Sequence, residues 1–209
     1  MRINGHVVAV MALAALAGCE EFTFEEEPST EEELYEGLQD ATLALREEIA
    51  GVAITDVADL PAEGSATYDG TALIALNAPA GGGVASELIG TATVTADFAA
   101  ATVSGNADGF YGTINGSEVG AYEGELFLSM GGIDTSGTGN QVTADANGVL
   151  QGGGDTLVID GTVTGNFLGD AGLLNEPPPA IALEEGVGTE FTLNGETITG
   201  GMEVIAVLP

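Results

Sequence analysis

From about residue 64 onward, apolar residues fall on every second position, while one earlier segment repeats them every third or fourth. The spacings predict different elements: side chains alternate faces along a strand and return to one face of a helix about every 3.6 residues. In the helical segment Leu34, Leu38, Ala41, Leu45 and Ile49 form one stripe, with Arg46, Glu47 and Glu48 on the other face or its edge. Ser29 and Thr30 precede Glu31, Glu32 and Glu33, so either hydroxyl can cap the helix, with Glu32 or Glu33 completing a capping box. The acids also occupy the first turn, where the helix dipole favours them. A helix over 30–50, ending before Gly51, is expected to pack against the body or hold it off a membrane.

The later pattern predicts strands. In Thr91–Phe98 the even positions are apolar and the odd ones polar. Tyr122, Gly124, Leu126, Leu128 and Met130 alternate with Glu123, Glu125 and Ser129, and Leu157, Ile159, Gly161, Val163, Gly165 and Phe167 share another face. Phe191 and Leu193 share a third. Asn115-Gly116, Asn147-Gly148 and Asn194-Gly195 are hairpin signals, with Asp69-Gly70 and Asp108-Gly109 weaker ones. A two-residue turn at Asn194-Gly195 pairs Phe191 with Ile198. One-faced strands joined by tight turns make antiparallel sheet, and about eight of them remove their edges best by closing. The expected fold is mainly β: a single antiparallel, roughly eight-stranded β-barrel preceded by one amphipathic α-helix. Gly124, Gly161 and Gly165 suit bends and tight interior packing. The run Asn175-Glu176-Pro177-Pro178-Pro179 is a loop interrupting the last third.

Composition narrows the chemistry. The chain has 209 residues, with 33 Asp+Glu against 2 Lys+Arg, a formal net charge of −31. Such charge on a weakly hydrophobic chain reads as disorder, but here 44% of residues are hydrophobic, so the acids decorate a folded protein. Both cations are arginines, so the basic footprint that nucleic acid requires is missing. His6 and Cys19 are the sole histidine and cysteine. Beyond residue 19, therefore, neither a Cys/His metal site nor histidine-assisted nucleophilic catalysis can be assembled. Carboxylate, hydroxyl and backbone chemistry remain, with no nucleophile–base pair in sight. The expectation is no enzyme and no cofactor.

The first nineteen residues read as an address. Arg2 supplies a short positive region, and Val7 to Ala15 form an apolar run too short to span a bilayer. The run ends in Leu16-Ala17-Gly18-Cys19, which resembles the lipobox of bacterial lipoproteins. That resemblance implies lipid on Cys19 and cleavage before it; the alternative is an ordinary signal peptide with Cys19 incidental. Glu20, rather than Asp, follows the cysteine, which in enteric-type sorting favours the outer membrane. The organisation expected is a signal peptide at 1–18, an acidic tether at 19–29, the helix at 30–50, a linker at 51–63 and the barrel domain at 64–209. Cleavage leaves 33 acids against Arg46 alone, a charge of −32.

Several segments together resemble the β-barrel domain of transferrin-binding protein B-like surface lipoproteins. They are Gly90–Phe98 ending in Ala-Asp-Phe, then Ala101-Thr102-Val103-Ser104-Gly105, and later Asp160–Asp170 with Gly165-Asn166-Phe167-Leu168-Gly169. The resemblance covers roughly residues 64–207. It implies an eight-stranded barrel, lipid anchoring at the bacterial outer membrane and display on the cell surface, with a Slam-type translocator as exporter. The chain departs from the well-studied members in having room for one barrel, and Gly201–Val207 lacks the usual glycine-phenylalanine closing pattern. No binding residue of that family maps onto it.

Three motifs imitate known sites. Asp134-Thr135-Ser136-Gly137 resembles an aspartic-protease signature, but one copy supplies one carboxylate where two are needed. Gly152–Leu157, with Asp155, resembles a single calcium-binding nonapeptide unit. Asp145-Ala146-Asn147-Gly148 resembles the start of an EF-hand loop without its downstream acid. Asp145, Asn147 and Asp155 are thus weak calcium candidates, with hairpin turns as the plainer account. Tyr68, Phe110, Tyr111 and Tyr122 suit the barrel core or girdle better than an exposed contact surface.

Three functions fit these features. The first is a lipid-anchored surface protein whose barrel loops bind an extracellular macromolecule. The second is a structural envelope lipoprotein with no dedicated ligand, and the third a barrel holding a small apolar molecule. The acidity suits solubility of a glycine-rich β-protein, a saline habitat, or a cationic partner.

Overall fold

The computed structural model describes residues 30–77, 86–116, 118–137, 141–170 and 176–209. A helix, α1 (Glu31–Ile49), precedes β1 (Ser65–Leu76), β2 (Ser86–Asp97), β3 (Thr102–Thr113), β4 (Gly120–Ile133) and β5 (Val142–Gly152). Then follow β6 (Asp155–Leu168), β7 (Ala180–Glu185), β8 (Glu190–Leu193), β9 (Glu196–Ile198) and β10 (Gly200–Val207). Every pairing between them is antiparallel. β1 to β6 pair in chain order, β6 pairs β7, β7 pairs β10, and β10 returns to β1. Eight strands therefore close a barrel, and the β8–β9 hairpin extends along β6 beyond β7.

An eight-stranded ring leaves an interior that side chains just fill. Here Tyr68, Phe110, Phe167, Leu126, Leu150 and Ile159 are fully buried within it, joined by Tyr122 and Phe191. The few aromatics are thus concentrated inside, where each buries the most area. Tyr68, Phe110 and Tyr122 are core residues, while Tyr111 is half-buried. At Gly124, Gly161 and Gly165 a Cβ would overlap Val149, Thr189 and Ala182 respectively, so their small size lets neighbouring segments approach.

Tyr68 is entirely buried and its hydroxyl has no hydrogen-bond partner. A buried, unpaired hydroxyl costs stability. Tyr68→Phe is therefore expected to raise stability by about 1 kcal/mol, read as a higher urea midpoint. A lower midpoint would instead put a buried water on that hydroxyl.

The turn dipeptides divide in two. Asn115-Gly116 and Asn194-Gly195 adopt positive φ (55° and 73°; 53° and 86°) and turn the chain, and Phe191 pairs with Ile198 as expected. Asn147-Gly148 does not turn: Asn147 lies in mid-strand, opposite Phe127 on one side and Asp160 on the other. Asp69-Gly70 lies inside β1, where a Cβ on Gly70 would overlap the Ile205 carbonyl of β10. Asp108-Gly109 forms a bulge within β3, with Gly109 at φ 61°. These glycines serve close strand approach or a bulge, which a local turn rule does not distinguish from a hairpin. Met130, expected on the inner face, points out and is 86% exposed, because a register shift between Ser129 and Gly132 reverses the alternation.

Helix α1 lies on the outer wall over β10, β1, β2 and β3 and reaches the edge of β4. Thr30 caps it, accepting from the Glu33 N–H while the Glu33 carboxylate accepts from the Thr30 N–H. Leu38 is buried, and Thr42 is buried beside it with its hydroxyl 3.0 Å from that of Thr71. Tyr35 and Gln39 both donate to Glu87, at 2.8 and 3.1 Å. Arg46 pairs with Glu203, which faces Glu184 across the β7–β10 ladder. Like charges directly opposite destabilise a sheet, and Arg46 offsets this pair. Arg46→Ala is expected to cost about 1 kcal/mol and to speed proteolysis within α1, while leaving the barrel's β spectrum unchanged.

Burial, with the Glu87 carboxylate beside it, raises the Tyr35 phenol to about 12 from an ordinary 10.0. The unfolded chain therefore ionises first. The contribution of this contact is whole below about pH 10 and is lost as pH rises toward 12. Melting curves across that range should fall less steeply with pH in Tyr35→Phe than in the parent.

The segment after the helix is tied to the barrel. Thr55 donates its N–H to the Phe167 carbonyl at 3.0 Å, and Gly169 donates to Ala53 at 2.8 Å. Gln141, buried, accepts the Phe167 N–H at 3.1 Å and donates to the Thr55 carbonyl.

Candidate binding surface

Farther round the ring from α1, residues on the outer side of β3 to β6 line a shallow groove of about 810 Å³. Its apolar centre is Phe127, Val149 and Val158, which are 51%, 46% and 36% exposed. All three occupy outward slots that a one-faced strand fills with polar residues. The register sets them on a diagonal. Glu125 faces Val149, which faces Val158; in the next row Phe127 faces Asn147, which faces Asp160. Glu125 and Asp160 consequently stand at opposite corners of the apolar strip, with Asp108 on β3 at its edge. Asp108 accepts a hydrogen bond from the Thr91 hydroxyl at 3.1 Å. The glycines Gly124 and Gly148 flank Glu125 and Asn147.

The sequence carried a signal for this surface. Leu126-Phe127-Leu128, Val149-Leu150 and Leu157-Val158-Ile159 each place an apolar residue beside inward ones, out of alternation. Those interruptions mark outward positions where polar residues are otherwise the rule.

The residues singled out from sequence are dispersed. Cys19 lies outside the described residues. Asp145 and Asn147 stand on mid-β5, in line with Thr162 and Asp160 of β6. Asp155 lies at the other end of the β5–β6 pair and accepts a 2.7 Å hydrogen bond from the Asn194 amide. Seven positions separate Asp145 from Gly152, the partner of Asp155, roughly 23 Å of strand. The calcium candidates therefore do not converge. Gly153 and Gly154, at φ 61° and 89°, make the β5–β6 turn, whereas the Asp145–Gly148 segment is strand rather than the turn expected there. Asp134 is likewise part of a turn: its carboxylate accepts the Ser136 N–H at 2.7 Å. Hydrogen bonds from the Ser136 hydroxyl and backbone hold that carboxyl below the ordinary carboxylate value. Among the described residues no three His, Cys, Asp or Glu side chains are grouped to hold a metal ion.

The sequence matches no family model and no curated protein. Among solved structures, it is similar to the crystal structure of a double mutant of transferrin binding protein B, a vaccine antigen from Haemophilus parasuis. The likeness covers 74% of this chain and 28% of that chain, with a TM-score of 0.43 and 15% sequence identity. This chain thus spans little more than a quarter of that protein's length.

Proposed function

We propose that this chain is a lipid-anchored lipoprotein of the bacterial cell surface that serves as a non-catalytic binding module. It meets an extracellular macromolecule on the outside of its barrel, through the end loops and the wall. One observation carries the reading: the interior is filled by its own side chains, while the outer wall of β4 to β6 leaves Phe127, Val149 and Val158 exposed. An apolar patch rimmed by polar groups is the ordinary mark of an interaction surface. The filled interior also disfavours storage of a small apolar ligand. Anchoring comes from lipid on Cys19, with the acidic residues after it as a solvated spacer. Surface export by a Slam-type translocator belongs to the same reading and draws on the motif resemblance alone.

Two measurements on producing cells test it. Cys19→Ser should move the protein from the membrane fraction to the soluble one, and protease added to intact cells should digest the parent. Unchanged membrane attachment would overturn the anchor, and full protection from protease would overturn surface display.

A further inference from the structure

The rim of the groove describes its occupant, and the inference rests on the binding reading above. We infer that the β3–β6 wall docks a basic amphipathic segment of a partner protein. Apolar side chains of that segment cover Phe127, Val149 and Val158, and its Lys or Arg side chains reach Glu125, Asp160 and Asp108.

Three observations converge. First, the carboxylates are placed at both corners of the apolar diagonal, so an apolar strip with cations on both flanks matches the surface in shape and charge. Second, no cation among the described residues is left to answer them. Arg46 is the sole Lys or Arg after Arg2, and it is bound to Glu203 on β10. Third, α1 covers the outer wall from β10 round to β3, burying Leu38 against it, and stops short of Phe127, Val149 and Val158, which stay exposed. Other occupants fit less well. A second copy would set one acidic rim against another at a net charge of −31 per chain. Anionic lipid is repelled for the same reason, and an uncharged apolar ligand leaves the corner carboxylates unanswered. From β3 to β6 the wall spans roughly 14 Å, between two and three turns of helix. That is the footprint of a helix presenting apolar anchors at i, i+3 or i+4, and i+7.

The test uses the full chain carrying Cys19→Ser, purified without lipid, and a fluorescein-labelled 14-residue Leu/Lys amphipathic peptide as probe. Fluorescence anisotropy in 150 mM NaCl, taken as about physiological ionic strength, reads the affinity. F127S/V158T and E125Q/D160N should each weaken binding at least about fivefold, each variant first shown by its melting curve to be folded. E47Q/E48Q removes the same charge from the exposed face of α1 and should change binding less than twofold. No measurable binding by the parent would overturn the inference. So would an equal loss in E47Q/E48Q, which would mean diffuse attraction to an acidic protein, or an undiminished affinity in F127S/V158T. These outcomes are read on purified protein, so their failure leaves the lipid and surface-display results standing, and the reverse also holds.

Discussion

Gly165→Ala is expected to open the barrel at the β6–β7 seam, at a cost of about 3 kcal/mol or more. Gly165 pairs with Leu183 on one side and with Val142 on the other, and an added Cβ would overlap the Ala182 carbonyl oxygen. The obstacle is backbone, so no side-chain rotation relieves it. The two strands must separate, and the β7 ladder, only six residues long, has little to lose before it detaches. Gly37→Ala gives the opposite sign. Gly37 lies within α1, where an added Cβ meets nothing within 4 Å, so the helix should gain up to about 1 kcal/mol. Urea unfolding of the two variants, followed by far-UV dichroism, checks both. Equal stability for Gly165→Ala and the parent would contradict the close approach.

Phe167→Ala is expected to cost about 3–5 kcal/mol, a large share of the 5–15 typical of a folded domain. The ring is fully buried, 5.5 Å from Phe98 and 6.2 Å from Tyr68 between centroids. Its surroundings cannot collapse into the space left. The Phe167 N–H is held by Gln141 and its carbonyl by Thr55, so the backbone stays where the ring put it. The cavity therefore persists, the condition under which truncation is most damaging. A denaturation midpoint within experimental error of the parent would sink this account. Phe167→Leu should recover more than half of the loss, since leucine refills most of the volume.

The barrel was legible from sequence because its signals are local. Period-two runs such as Thr91–Phe98, the Thr30–Glu33 cap and the Asn194-Gly195 turn depend on neighbours a few residues away. What escaped depends on distant partners. Whether Asn147-Gly148 turns or runs straight is decided by strands on both sides of β5. Met130 faces outward only because β4 slips its register against β3 and β5. Thr42 interrupts an apolar helix stripe, yet it is buried because Thr71 of β1 lies opposite. The binding wall is an intermediate case. Phe127 and Val158 break alternation in the sequence, but only the register shows that they and Val149 adjoin one another and share corners with Glu125 and Asp160.

The ring is completed by its first and last strands, with Asp69 opposite Val207. Folding kinetics should bear the mark of that arrangement. Strands β1 to β6 can zip together through neighbouring hairpins, but until β10 arrives the sheet keeps exposed edges, β1 among them. The pairing that removes them joins the most distant parts of the barrel sequence, and its loop-closure entropy must be met before it is rewarded. Closure is therefore the slow step. In refolding experiments, amide protection at the β1–β10 seam should appear after that of the β2–β3 hairpin.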